Sequence, residues 1–537
     1  MQLFTHRLRF LLIMMFAIMG IVVVACGGDD EEDSSTPAAS ASGTASTATG
    51  TAAVANDLAD SQDLVVRQYS EPVGFDPAVL FRIDTENIAV NIYNGLTTYD
   101  SVSAEPIPDL AESWDISEDG TVYTFHLVKN AMWHFDYGPL TASDVVYSYE
   151  RVIDPTLESP YAVNFSSVES IEAPDDYTVV ITLAQPDANF LYQVGNYHQG
   201  QIVKKEAIEK FGDDYPRNPV GTGPFYLESW TPNSQMVLKA HDAYHKGRAT
   251  LDSITFNLIA DDTAAETALS GGEVDVMMSV GGGTEQLERI MATDGLVLHA
   301  NEQASIRSWL FGPDFEPFKD VRVRRAFAMA IDNAAVFEAV GPLQNVAWSG
   351  IVPSWMAAYD PSYQQIPFDP EGAKALLAEA GYPDGFTVTY VTTEPSDANL
   401  LQQQYLADVG IDMQFEPVEG SVFNQRRAEG TFEISHRGLP AVNPDDILVG
   451  YLHPDSGLNS FRYDNPDVTR LLGEARATID RDARLAIYYE IQKIVAEELP
   501  YLGVSSNTTY WAASEKVQGL KINKLSQVEW YPVYIAK

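Results

Sequence analysis

Between Phe368 and Tyr390 the chain reads FDPEGAKALLAEAGYPDGFTVTY, a run that leaves the backbone little choice. Asp369 is placed to cap a helix, and Pro370 sits in a first turn where its missing N–H costs nothing. Leu376, Leu377 and Ala380 fall on one face, and Gly381 stops the helix before the strand FTVTY. LQQQYLADVGIDMQFEPV repeats helix, glycine and strand between Leu401 and Val418. Earlier, LVVRQY at Leu64–Tyr69 reads as a first buried strand. Tyr244–Met277 carries a strand at Ile254–Ile259, a helix starting after Asp261 or Asp262, and a second strand at Val274–Met277, a βαβ-like unit. Helices and strands alternating through short Gly/Pro turns force α/β layers. At 537 residues the chain exceeds what one hydrophobic core holds, so two or three domains are expected.

The N-terminus follows different rules. His6, Arg7 and Arg9 precede an uncharged apolar run from Phe10 to Ala25 that stops at Cys26. A positive start and a short apolar centre make an export signal, too short for a committed membrane span. Cys26 is the only cysteine, which rules out an intramolecular disulfide framework and a thiol nucleophile in the folded body. DDEED at Asp29–Asp33 and the small polar residues that follow cannot build a core and read as a flexible tether. The formal charge of −43, from 33 Lys+Arg against 76 Asp+Glu, disfavours nucleic acid or an anionic lipid surface as a partner of the folded part.

Ala111–Pro155 is the most informative internal stretch. Asp119-Gly120 supplies a tight turn, Tyr123, Phe125 and Leu127 alternate with Val122, Thr124 and His126, and Thr141 stands three residues before Asp144 as in a capping box. Val145, Tyr149, Val152 and Ile153 share a helical face that ends before Pro155. Further on, Asp320 is placed to cap a helix whose apolar face is Val323, Ala326, Phe327, Ala330 and Ile331, which turns Arg322, Arg324 and Arg325 outward to solvent. Catalytic patterns are missing: there is no GxSxG elbow, no P-loop and no CxxC. HDAYH at His241–His245 has aspartate where a zincin needs its glutamate. DISEDG at Asp115 lacks the carboxylate that a calcium loop requires at its twelfth position, which is His126.

AESW, DGTVYTFHL, AMWHF and PLTASDVVYSYER, in that order, resemble the signature of the family 5 extracellular solute-binding proteins, the oligopeptide, dipeptide and nickel type of ABC-importer receptor. NPVGTGPFYLESW at Asn218–Trp230, Tyr244–Met277, PFKDVRVRRAFAMAID at Pro317–Asp332 and Phe368–Tyr390 continue the likeness, and VVAC at Val23–Cys26 is similar to a lipobox. The resemblance implies an α/β, two-lobed periplasmic-binding-protein fold of type II, cluster C-like, with a third inserted domain. It implies a signal peptide over 1–25 and an anchor and linker over 26–61. Lobe I takes 62–100, 215–300 and 503–537, the inserted domain 101–214 and lobe II 301–502. The expected protein is no enzyme and needs no cofactor or metal. It is a monomer held by a lipid on Cys26 at the outer face of the cytoplasmic membrane, passing a peptide, an oligosaccharide or a similar solute to ABC permease subunits.

The same resemblance nominates Trp309, Trp348, His436, Arg437, Leu439 and Asp445 as ligand-binding and Gly221, Thr222 and Gly223 as a hinge. Peptide-binding members of the family carry a Trp and, three residues later, an Asp that pairs with the peptide's amino group. Leu439 stands at the Trp position here, and neither Val442 nor Pro440, the two alignments of the Asp, is acidic. A buried ammonium without a carboxylate is costly, so the sequence favours a neutral, hydroxyl-rich solute over a di- or tripeptide. His436 and Arg437 would then meet an anion or hydroxyls. Asp445 and Asp446 are the carboxylates near enough to reverse that preference.

Overall fold

A computed structural model describes residues 57–79, 83–341, 345–347, 350–440 and 443–537. Cys26, Trp348 and Val442 therefore lie outside the described residues. In chain order the strands that organise the molecule are β1 (Asp63–Gln68), β2 (Ala111–Ile116), β3 (Val122–Leu127), β4 (Val168–Asp175), β5 (Thr178–Leu183), β6 (Phe225–Thr231), β7 (Gln235–Ala240), β8 (Ser253–Leu258), β9 (Val276–Met277), β10 (Leu296–Phe311), β11 (Phe386–Thr392), β12 (Ile411–Pro417), β13 (Ile434–Pro440) and β14 (Tyr501–Ser514). The principal helices are α1 (Ala142–Ile153), α2 (Asp262–Ser270), α3 (Val321–Met329), α4 (Pro370–Glu379), α5 (Asp397–Asp408), α6 (Gly420–Glu429), α7 (Pro444–Leu452), α8 (Pro466–Ala477) and α9 (Arg481–Glu498).

Local chemistry sets these limits as the sequence leads one to expect. Thr141 and Asp144 form the reciprocal capping box of α1. Asp369 accepts from Gly372 N at the start of α4, and Gly381 follows that helix at φ +95°. Asp261, Asn465 and Asp480 cap α2, α8 and α9, each satisfying N–H groups that a helix start leaves unpaired. Asp320 caps α3, but Arg324 does not point into solvent. Its guanidinium donates to the carbonyls of Leu499, Phe318 and Glu498, where it ties off the C-terminal end of α9.

Eleven described strands form one mixed sheet, in the order β12-β11-β13-β10-β14-β9-β1-β8-β7-β6, with Asn345–Ala347 pairing beside β14. Its centre is the antiparallel pair of long strands. β10 holds β13 on one side and β14 on the other, and β14 continues to β9. β10 and β14 thus run from the half built on β1 and β6–β9 into the half built on β11–β13, and the expected lobe limits at 300/301 and 502/503 fall inside them. Their pairing slips between Glu302 and Ile306 and again at Arg307/Ser308, as β-bulges do where a sheet bends. Along β10 the side chains alternate: Ile306 and Leu310 enter one core, Trp309 and Phe311 the core on the opposite face.

A separate antiparallel sheet, ordered β2-β3-β5-β4, follows the Asp119-Gly120 turn, in which Gly120 has φ +70°. Tyr123, Phe125, Val179 and Ile181 from this sheet join Leu64, Val66, Ile254 and Phe256 from the main sheet in a single buried core. The region expected as an insertion, 101–214, thus shares its core with the first half.

Candidate functional site

Gly221, Thr222 and Gly223 lie in a rigid seam, away from the two strands that pass between the halves. A Cβ on Gly221 would come 1.9 Å from the Ile92 carbonyl oxygen. Gly223 N donates to that oxygen, and Thr222 Oγ1 donates to Asn94 Oδ1 at 3.0 Å. His134, wholly buried, grips both glycines: Gly221 N donates to Nδ1 at 3.2 Å, and Nε2 sits 3.0 Å from Gly223 O. Burial drives its pKa down to about 3, so the ring is neutral, with Nδ1 accepting and Nε2 donating.

On β13, successive side chains serve opposite faces. His436 faces Trp309 across the ladder, and Arg437 faces Ser308. Trp309 is only 2% exposed and packs edge-on against Tyr390 and Phe327 at 4.9 and 5.8 Å, which makes it core. Its Nε1 nevertheless has no partner among the described residues. It borders a cavity of ≈ 230 Å³ with His436, Tyr390, Asn399 and Gln402. The Tyr390 hydroxyl lies 2.5 Å from His436 Nδ1. Burial first, then Arg307 and Arg427, depress His436 to about 4, and it too is neutral. Leu439 is half-buried on the other face, packed on the Ile306–Tyr451 core.

That other face also carries Arg437. Arg437 is buried and spends its charge on neutral oxygens, donating to Ser460 Oγ at 2.8 Å and Leu458 O at 3.2 Å. Arg427, from the last turn of α6, donates to His436 O and Asn424 Oδ1 and lies over the Phe423 ring at 4.7 Å. Burial and their mutual repulsion lower the pKa of Arg437, and burial lowers that of Arg427. Among the described side chains neither makes an ion pair, and both Nε–H groups lack partners. In a chain with 76 carboxylate residues, a buried and a half-buried guanidinium side by side without one leave positive charge that a carboxylate would match. Arg437 was expected at the site; Arg427 was not, because a cation in the last turn of a helix ordinarily just answers the helix dipole.

Asp445 is already spoken for. It is 4% exposed, accepts from Arg476 Nε at 3.0 Å and Tyr488 OH at 2.9 Å, and also lines the hollow beside Asp446. Asp446 is exposed and accepts from Asn443 Nδ2 at the start of α7. Asn443, Asp446 and Arg476 face Asn164, Gln185 and Gln193 of the inserted region across a hollow of ≈ 600 Å³. The two sides also touch where Ala188 N donates to Arg476 O at 2.8 Å and where Arg481 lies 3.7 Å from Glu105. Nearby, Trp355 of the second half meets Tyr99, Tyr192 and Leu525 of the first, with Lys524 Nζ 5.2 Å from its ring centroid. Tyr99 OH donates to Tyr192 O at 2.7 Å. Trp355 escaped the sequence reading because a lone aromatic in a Pro/Ser loop carries no periodicity.

Two halves joined through two long strands, with a hollow of ≈ 600 Å³ lined by polar side chains from both sides, suit the capture of a small solute. The chain belongs to the bacterial extracellular solute-binding proteins, family 5, whose middle-region family model matches residues 105–457. It is 30% identical to Di/tripeptide-binding protein 2 of Pseudomonas aeruginosa, over 88% of this chain and 95% of that one. It is 28% identical to Heme-binding protein A of Haemophilus influenzae, over 83% of this chain and 88% of that one. The solved structure of HbpA2 from Haemophilus parasuis superposes with a TM-score of 0.82 at 27% identity, covering 88% of this chain and 99% of that one. The fold is accordingly the type II periplasmic-binding-protein fold, and the protein is an extracytoplasmic binding component of an ABC importer and not an enzyme.

Proposed function

We propose that the protein, anchored by a lipid on Cys26 and acting as a monomer, encloses a small peptide-like solute bearing a free carboxylate and delivers it to the permease. The observation that carries this reading is the pair of Arg437, buried, and Arg427, half-buried, neither with a carboxylate partner among the described side chains. A neutral hydroxyl-rich solute, which the sequence favoured, would leave both charges uncompensated; a carboxylate converts that deficit into charge-assisted hydrogen bonds. The name of the di/tripeptide-binding relative supports a peptide-like solute. Lobe I (62–100, 215–300, 503–537) and the inserted region (101–214) form one jaw and lobe II (301–502) the other. The bending point is the irregular stretch of β10 and β14 near Ile306, in place of Gly221–Gly223. Trp355 supplies the apolar wall, while Trp309 shapes the cavity behind His436.

Equilibrium dialysis against a random tripeptide mixture, read by mass spectrometry, tests the reading. Retention at micromolar affinity, about −8 kcal/mol, is expected. C-terminal amidation or Arg437→Gln should weaken it by about 30-fold or more, the usual effect of removing one partner of a buried charge pair. Equal retention of amidated and free peptides would overturn it.

A further inference from the structure

The first half carries a second charged pocket that the carboxylate reading does not use. Asn94, Asp109, Lys246, Gln527, Glu529 and Tyr531 border a cavity of ≈ 50 Å³, more than a single water needs and enough for a small polar group. Asp109 is buried and already compensated: Lys246 Nζ donates to it at 2.7 Å and Asn94 Nδ2 at 2.9 Å. Glu529 is different. Among the described residues its one hydrogen bond is a long one from Thr98 Oγ1 at 3.4 Å, and no Lys or Arg side chain lies within ion-pair distance. Its surroundings and then the charge of Asp109 push its carboxyl up. Two residues away, Gln527 is 3% exposed and its Nε2 has no acceptor among the described residues. Its orientation is fixed, because its Oε1 accepts from Asn523 Nδ2 while Asn523 Oδ1 accepts from the Leu525 and Gln527 amides.

The pocket lies beside the space between the halves. Thr98 adjoins Tyr99, and Asn523 leads directly into Lys524 and Leu525, the residues that meet Trp355. The tally of charges leaves one carboxylate unmatched, next to one unpaired N–H donor. An α-amino amide offers the complement of that pair: an ammonium and, one carbon further on, a carbonyl acceptor.

We propose that this pocket receives the protonated amino end of the solute, Glu529 pairing with the ammonium and Gln527 Nε2 donating to the adjacent carbonyl. The assignment rests on the peptide-like reading above and extends it: the solute is a zwitterion, its positive end held by the first half and its negative end by Arg427 and Arg437 of the second. Glu529 then does from the first half what the replaced loop aspartate would do from the second.

The same dialysis separates the two claims. The probes are a random tripeptide mixture, its N-acetylated form, its des-amino form and its C-amidated form. Wild-type protein should retain the free mixture about 30-fold better than the acetylated or des-amino mixtures. Glu529→Gln, an exposed isosteric change verified by an unaltered melting curve, should bring free and acetylated retention within about threefold while leaving sensitivity to amidation intact. Equal retention of free, acetylated and des-amino mixtures by wild type, or an undiminished preference in Glu529→Gln, overturns this inference and leaves the carboxylate reading standing. Loss of sensitivity to amidation alone overturns the carboxylate reading, and failure to retain any free tripeptide overturns both.

Discussion

His134 shows what a single buried side chain commits the fold to. Its neutral ring accepts from Gly221 N and binds Gly223 O, and its pKa of about 3 lies below the ordinary value of 6.5. A histidine depressed on folding binds its proton more readily when unfolded. Its contribution is therefore complete above pH 6.5 and is lost as pH falls toward 3. At pH 5 the loss is about 2 kcal/mol, and His198 at about 3 and His436 at about 4 act in the same direction. Urea unfolding at pH 7.5 and pH 5 should show this drop, and His134→Gln should reduce it while lowering stability at pH 7.5; an unchanged pH slope in the variant would be contrary to the assignment. The sequence named His436 and Arg437 because they stand in a family-like strand. It could not show that Asp445 would be consumed by Arg476 and Tyr488, which lie 31 and 43 residues away. Arg427 and Glu529 stayed hidden because a missing partner becomes visible only in three dimensions.

Elements were legible wherever their signals are local. Thr141, Asp261, Asp369, Asn465 and Asp480 cap helices at the expected positions because a cap and the N–H it satisfies lie within three residues. The bend between the halves was not legible: β10 meets β14 some 200 residues later in sequence, and nothing in either strand announces that both cross a boundary. The glycines of Gly221–Gly223 instead suggested a hinge, since glycine also marks places where backbones touch. Close approach is the operative reason here, with Gly221 against Ile92 O. Gly221→Ala should cost about 2–4 kcal/mol in urea unfolding. Gly420→Ala, where an added Cβ meets nothing within 4 Å, should change stability by less than about 0.5 kcal/mol. Similar effects from the two substitutions would contradict the packing account of the seam.

At the scale of the whole molecule, the α/β class followed from alternation alone, and the two-jawed arrangement followed from resemblance. The fusion of the inserted sheet to the first half through one core followed from neither, because strand periodicity says which face is buried and not against what. Two behaviours belong to this scale. Cys26→Ser, expressed in a bacterium and fractionated, should release the protein from the membrane fraction; unchanged processing and membrane association would remove the lipid anchor from the account. The central claim is that a solute is enclosed when the jaws move about β10 and β14. Small-angle scattering on the solute-stripped protein, before and after saturation with the retained tripeptides, tests it most directly. A smaller radius of gyration on saturation is the predicted result, and solute binding with an unchanged radius would contradict it.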